Sequence, residues 1–347
     1  MRSEMSPEVL RSLGWGLVSA SAHAAVLGCM VLAVRSCLRR HLSPNWRLAL
    51  GAVVLARLVW PWEISSSVSL FNVTASLMPP MNAWSVPIQG WAVFLGIWAV
   101  GVAFRARLVI RDGVRVRRWI ARSRPVDPLG ARLWNEVLQD TPRCLRRIPV
   151  RQSSDVAGPC VVGLIRPCLL LPPDLAGRLS EQEIRLVLLH EAAHLRRWDL
   201  VFNGLLEVVH AIHWFNPVVD HVLRRWREDR EEACDLHALS APRVDRVQYG
   251  RVLLKCLDRS PGGLPVAAAL GWRGQATTAP RSLVHRVEAI ARFSPARRTW
   301  LAGGCTLLAV GLLGLTDPEP LPPRRVWLLR PGATLELPPA WSGNRIA

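Results

Sequence analysis

The sequence predicts a multi-span α-helical membrane protein with a cytosolic α+β domain inserted before its last span. Three observations carry that reading. Charge-free apolar stretches reach membrane-crossing length, arginines crowd some short loops and are missing from another, and residues 105–299 change to short strand-like runs and capped helices.

The first span is expected at about residues 12–34, SLGWGLVSASAHAAVLGCMVLAV, uncharged and long enough for a hydrocarbon core of about 30 Å. The SASAHA stretch inside it looks like a leader-cleavage site. The apolar run nevertheless continues to Val34, and the preceding residues mix Glu4 and Glu8 with Arg2 and Arg11, so a retained span is expected. A second span is read at 48–62, short and carrying Arg57, and a third at 84–104, charge-free and rich in tryptophan as interfacial anchors are. Residues 300–316 make a short fourth.

Arginine placement orients these spans. The segment RSCLRRHLSPNWR after the first is basic, residues 61–83 hold no Arg or Lys, and RARLVIRDGVRVRRW after the third is basic again. The N-terminus is therefore expected outside and residues 105–299 in the cytosol, with 317–347 a short Pro-rich extracytoplasmic tail, in a multi-pass protein of the inner (cytoplasmic) membrane. Arg324, Arg325 and Arg330 in that tail pull the other way.

The formal charge is +18, and Lys255 is the only lysine among the 44 basic residues. These cations lie beside apolar spans and form no recognisable nucleic-acid module, so lipid is the expected counter-charge and no direct nucleic-acid binding is expected. The eight cysteines contain no CxxC pair, which leaves a disulfide framework or a cysteine zinc site without support.

Within the insert, IPVRQSSDVAGPCVVGLIRPCLLLPPDL reads as two short strands around a turn at Gly163, closed by Pro172 and Pro173. Ser180 and Glu183 have the spacing of a capping box, so a helix is expected from Glu181 through His194. Asn216 and Pro217 predict the cap and first turn of a long helix. Residues 199–215 fit either a buried helix or one dipping into the inner leaflet.

The first of these helices carries His-Glu-x-x-His. Residues four apart share a helix face, so His190 and His194 can present two nitrogens to one ion, with Glu191 near enough to act as a base on bound water. A catalytic zinc takes three protein ligands and keeps a fourth position open. REDREEACD, downstream, offers Glu228, Asp229, Glu231, Glu232 and Asp235, and spacing does not choose among them; an acidic run is more often a solvated helix face. Asp199 is a candidate to orient a ligand histidine, with a plain helix-terminal aspartate the equal alternative. His210, His213, His221 and His237 read as interfacial or surface residues, and Tyr249 as a packing residue.

Apolar spans, HExxH, WFNP at 214–217 and the D-x-E-x-x-C-D run of Asp229, Glu231, Cys234 and Asp235 together resemble the BlaR/MecR antirepressor family of gluzincin-type membrane zinc metallopeptidases. GPCVVGLIRPCLLLP resembles the strand segment before that family's zinc helix. The resemblance implies a zincin-like metalloprotease fold for the insert and one Zn²⁺ per chain. It also implies Glu231 as third ligand beside His190 and His194, and Asp235 as an acceptor orienting a ligand histidine. Glu191 would then take a proton from the activated water and pass it to the leaving amine. A substrate is expected to lie extended along an exposed strand edge from the 160–172 region.

The expected function is a membrane-embedded zinc endopeptidase in regulatory signalling, cleaving itself or a repressor-like protein. The alternatives are quality-control proteolysis of membrane proteins and a non-catalytic relay with structural zinc. The antibiotic-sensing members of the family carry a penicillin-binding domain after the last span. The tail here has no room for one, so a signal is expected through outer loops, the bilayer or a separate sensor protein.

Overall fold

The structure, a computed structural model, describes residues 6–39, 41–59, 69–71, 86–139, 141–257, 280–291 and 299–316. It is mostly helical with one small sheet. Helix α1, Pro7–Cys37, is opened by Ser6, whose hydroxyl accepts from the Val9 amide, with Pro7 where a missing N–H costs nothing. Helices α2, Pro44–Val59, and α3, Ile88–Arg122, follow. Among the described residues, α1 and α3 are the helices long and apolar enough to cross a membrane.

Helix α3 extends well past the expected span end. The stretch read as a basic loop is its continuation to Arg122, since no Pro interrupts it and Asp112 is paired with Arg111 and Arg115 on the same helix. Val93, Ile97, Val100 and Phe104 form an outward stripe at least 55% exposed, large apolar surface of the kind that marks contact with lipid or a partner. By contrast, α2 is a sixteen-residue helix of about 24 Å whose Leu48, Leu50, Val53, Val54 and Leu55 are buried. Residues 60–62 of the expected second span lie outside the described residues, as does the tail.

The sheet contains β1 (Arg124–Pro125), β2 (Val150–Gln152), β3 (Cys160–Val162) and β4 (Cys168–Leu171) in the order β1-β2-β4-β3. β3 and β4 form the expected hairpin, and Gly163 turns it at φ 93°, where an added Cβ would sit 2.5 Å from the Arg166 carbonyl oxygen. One sheet face packs on Leu133, Trp134 and Val137 of α4, Pro128–Leu138, and the other meets Val116, Trp119 and Ile120 of α3. The basic half of α3 thus ties its apolar half to the sheet.

After the short α5, Leu175–Arg178, both halves of the capping box are made: Ser180 Oγ accepts from the Glu183 amide and Glu183 Oε2 from the Ser180 amide. They open α6, Glu181–Arg196, which carries the two histidines. Trp198, at φ 58°, turns the chain into α7, Asp199–Ile212. Asn216 then caps α8, Pro217–Leu239, accepting from the Val218 and Val219 amides while its own amide donates to Ser21 on α1. The remaining described helices are α9, Arg246–Leu257, α10, Pro280–Ala291, and α11, Thr299–Gly314, the last apolar but shorter than a full span.

Helix α8 is the hub. α2 lies along it, and Gly51 lets the Trp226 ring come to 2.6 Å from where a Cβ would be, so that Trp226 Nε1 donates to the Leu48 carbonyl at 3.2 Å. α1, α6 and α10 cover its other sides.

Candidate metal centre

Helical spacing puts His190 and His194 on one face of α6, rings 4.9 Å apart and nearly perpendicular. α8 brings Glu231 opposite them, with Oε2 at 3.6 Å from His190 Nε2 and 3.9 Å from His194 Nε2. One atom from each of the three lies within 4.8 Å of the others. The acidic run of α8 is not a solvated face: Asp229, Glu231, Glu232 and Asp235 are all buried.

The outer nitrogens are held from behind. His194 Nδ1 meets Asp199 Oδ2 at 2.8 Å, and the Cys234 thiol donates to the same oxygen at 3.3 Å. His190 Nδ1 lies 3.1 Å from both Asp235 Oδ1 and Tyr249 Oη, and the Tyr249 hydroxyl donates to Asp235 Oδ1 at 2.8 Å. A carboxylate on Nδ1 holds the proton there, so that Nε2, facing Glu231, is the nitrogen that gives up its proton to a bound cation. Glu231 is itself steadied by Arg230, whose Nη2 donates to Oε1 at 2.9 Å.

Among the described residues, buried His194 Nε2 has no hydrogen-bond partner. An orphaned imidazole nitrogen facing a carboxylate and a second imidazole is the donor set of a divalent cation site, so the residues present fit a zinc ion. Electrostatics agree. Burial raises the Glu231 pKa, but His194, His190, Arg230 and Arg286 outweigh it and hold the carboxyl well below its usual range. Burial lowers His190, yet Asp235 and Glu231 raise it to about 10, so the pocket draws positive charge. His194, Asp199 and Cys234 form a second close group, but it uses His194 Nδ1 and serves to support the ring.

Glu191 is buried, and its Oε2 accepts from the Val161 amide of edge strand β3 at 3.1 Å. Burial raises its pKa, with His194 and His190 opposing. The strand edge expected to be exposed is not: Cys160, Val161 and Val162 are buried, and the outward amide of Val161 is engaged by Glu191.

The structure thus brings together all six residues named from the sequence, His190, Glu191, His194, Asp199, Glu231 and Asp235. It also corrects two readings. Tyr249 is no mere packing residue, since its hydroxyl bridges His190 and Asp235. His210 and His213 are buried, and Arg105 of α3 is 2.7 Å from His210 Nδ1. Arg286, missed entirely, donates to both oxygens of Asp235 at 2.7 Å. It stands 51 residues downstream in an unremarkable amphipathic helix, where no local signal marks it.

Membrane-length helices and a largely buried two-histidine, one-glutamate cluster describe a membrane-associated protein with a peptidase-like candidate metal centre. The chain belongs to the BlaR1 peptidase M56 family, whose model matches residues 83–290. It is 33% identical over 112 residues to the methicillin resistance MecR1 protein of Staphylococcus aureus, which covers 32% of this chain and 19% of that protein. It is 32% identical over 113 residues to the regulatory protein BlaR1 of Bacillus licheniformis, covering 32% of this chain and 18% of the relative. The matched stretch thus spans about a fifth of the length of these curated relatives.

Proposed function

We propose that the chain is a membrane-embedded zinc endopeptidase with its centre on the cytosolic side, acting in regulatory signalling by cleaving itself or a repressor-like protein. In this reading residues 105–299 form the zincin-like protease domain, set between three N-terminal spans and a fourth at 300–316. The observation that carries it is the orphaned His194 Nε2 turned toward Glu231 and His190. His190, His194 and Glu231 would hold the ion, with Asp199 and Asp235 orienting the imidazoles. A zinc ion there supplies Lewis acidity for activating water and polarising a peptide carbonyl.

Glu191 accepts the proton released by water and returns it to the leaving amine, a task suited to a buried carboxyl of raised pKa. Helix α7 supports a place at the membrane surface. Its Val201, Phe202, Leu205, Val208 and Ile212 face outward, and Trp98 Nε1 of α3 donates to the Ile212 carbonyl at 2.8 Å.

The test is the full chain purified in detergent. Glu191→Ala should retain zinc and lose cleavage of itself and of added protein, and undiminished proteolysis by that variant rejects the assignment. Crosslinked clients of the variant should be one or a few proteins.

A further inference from the structure

A polar cavity of about 170 Å³ opens where the end of α1 meets α2, α8 and α10. Its wall carries Arg35, Arg39, Arg47, His221, Arg225 and His285, together with Glu228 and Glu232. His221, Arg225, Glu228 and Glu232 follow one another at four, three and four residues, so one face of α8 lines this cavity while Glu231 and Asp235 point to the metal centre. Arg225 is paired with Glu228 at 2.9 Å, Arg47 with Glu232, and Arg35 with Asp229 just behind the wall. Four guanidiniums against three carboxylates leave one positive charge over. Among the described residues, His285 Nδ1 has no hydrogen-bond partner.

The place gives this charge its meaning. Arg35 and Arg39 end the longest apolar run of the N-terminal region, at the level where a crossing helix meets phospholipid headgroups, and Leu32 continues the cavity wall toward the apolar part of α1. Arginine clusters bind phosphate through paired N–H donors, and basic pockets between membrane helices take headgroups. We infer that this cavity is a binding site for the phosphate of an anionic phospholipid, gripped chiefly by Arg39, exposed at its rim, and by Arg225, half-buried beside Glu228. Arg47 and Glu232 belong both to the cavity and to the contact between α2 and α8, so an occupied site braces the helix that carries Glu231.

This rests on α1 crossing the bilayer, which reconstitution checks separately. The full chain is placed in nanodiscs of phosphatidylcholine alone, of phosphatidylcholine with phosphatidylglycerol, and of phosphatidylcholine with inorganic phosphate in the buffer. Phosphatidylglycerol should raise the unfolding midpoint by roughly 2 °C, as a ligand about tenfold above its dissociation constant does for a chain of this size. The double variant Arg39→Ala, Arg225→Ala should lose that rise, whereas Arg117→Ala, Arg118→Ala, two exposed cations on α3, should keep it. An equal loss in both variants makes the effect general membrane charge and overturns the site. So does a chain that reconstitutes with no lipid-dependent shift, and a rise with inorganic phosphate alone overturns lipid as the source.

Discussion

Arg286 donates to both carboxylate oxygens of Asp235, each at 2.7 Å, in a two-pronged pair that is almost wholly buried. The pair holds Asp235 against His190 Nδ1 and joins α10 to the metal centre. Burial raises the Asp235 pKa, but Arg286 and His190 outweigh it and bring it down to about 2, so the carboxylate is charged at neutral pH.

Asp235→Ala therefore strands a buried guanidinium and should cost about 3–5 kcal/mol in urea unfolding of the detergent-solubilised chain. Tyr249→Phe keeps the ring and removes only the hydroxyl bridge. Its zinc affinity, measured by chelator competition, should drop about tenfold with little loss of stability.

On the other imidazole, Asp199→Asn replaces the carboxylate that fixes the His194 tautomer. Zinc affinity should fall about 10–100-fold, and Cys234→Ala, which leaves that carboxylate in place, should fall much less. Equal losses would show the thiol to matter as much as the acid.

Arg47 is buried between Asp229 and Glu232, so Arg47→Ala leaves two carboxylates short of a counter-charge. The expected cost is about 3–5 kcal/mol. Adding Glu232→Ala should recover part of it, giving a coupling energy in a double-mutant cycle.

Zinc removal is the fourth case. Because an ion binds the folded site and not the unfolded chain in the same geometry, a strong chelator should lower the unfolding midpoint, and added zinc should restore it. Glu231→Ala should behave as the chelated wild type whether or not zinc is present.

Much was legible in the chain because it is local. The HExxH spacing, the Ser180–Glu183 box, Asn216–Pro217 and the Gly163 turn are contacts between residues a few positions apart, governed by helix and turn geometry alone. The extent of α3 was less visible, since a basic run after an apolar span has the composition of a loop but the propensity of a helix.

The sequence by itself determined that two imidazoles share a helix face, with a carboxylate beside them, and that uncharged stretches long enough for a bilayer precede that helix. Only the tertiary structure decided which acid of the Glu228–Asp235 run turns toward them, that Tyr249 and Arg286 stand behind His190, and that Arg35 and Arg47 brace the opposite side of α8. The reason is physical. The helical repeat sets the angles between side chains of one helix, but which face turns inward depends on the helices packed around it, and those come from segments tens to nearly two hundred residues away.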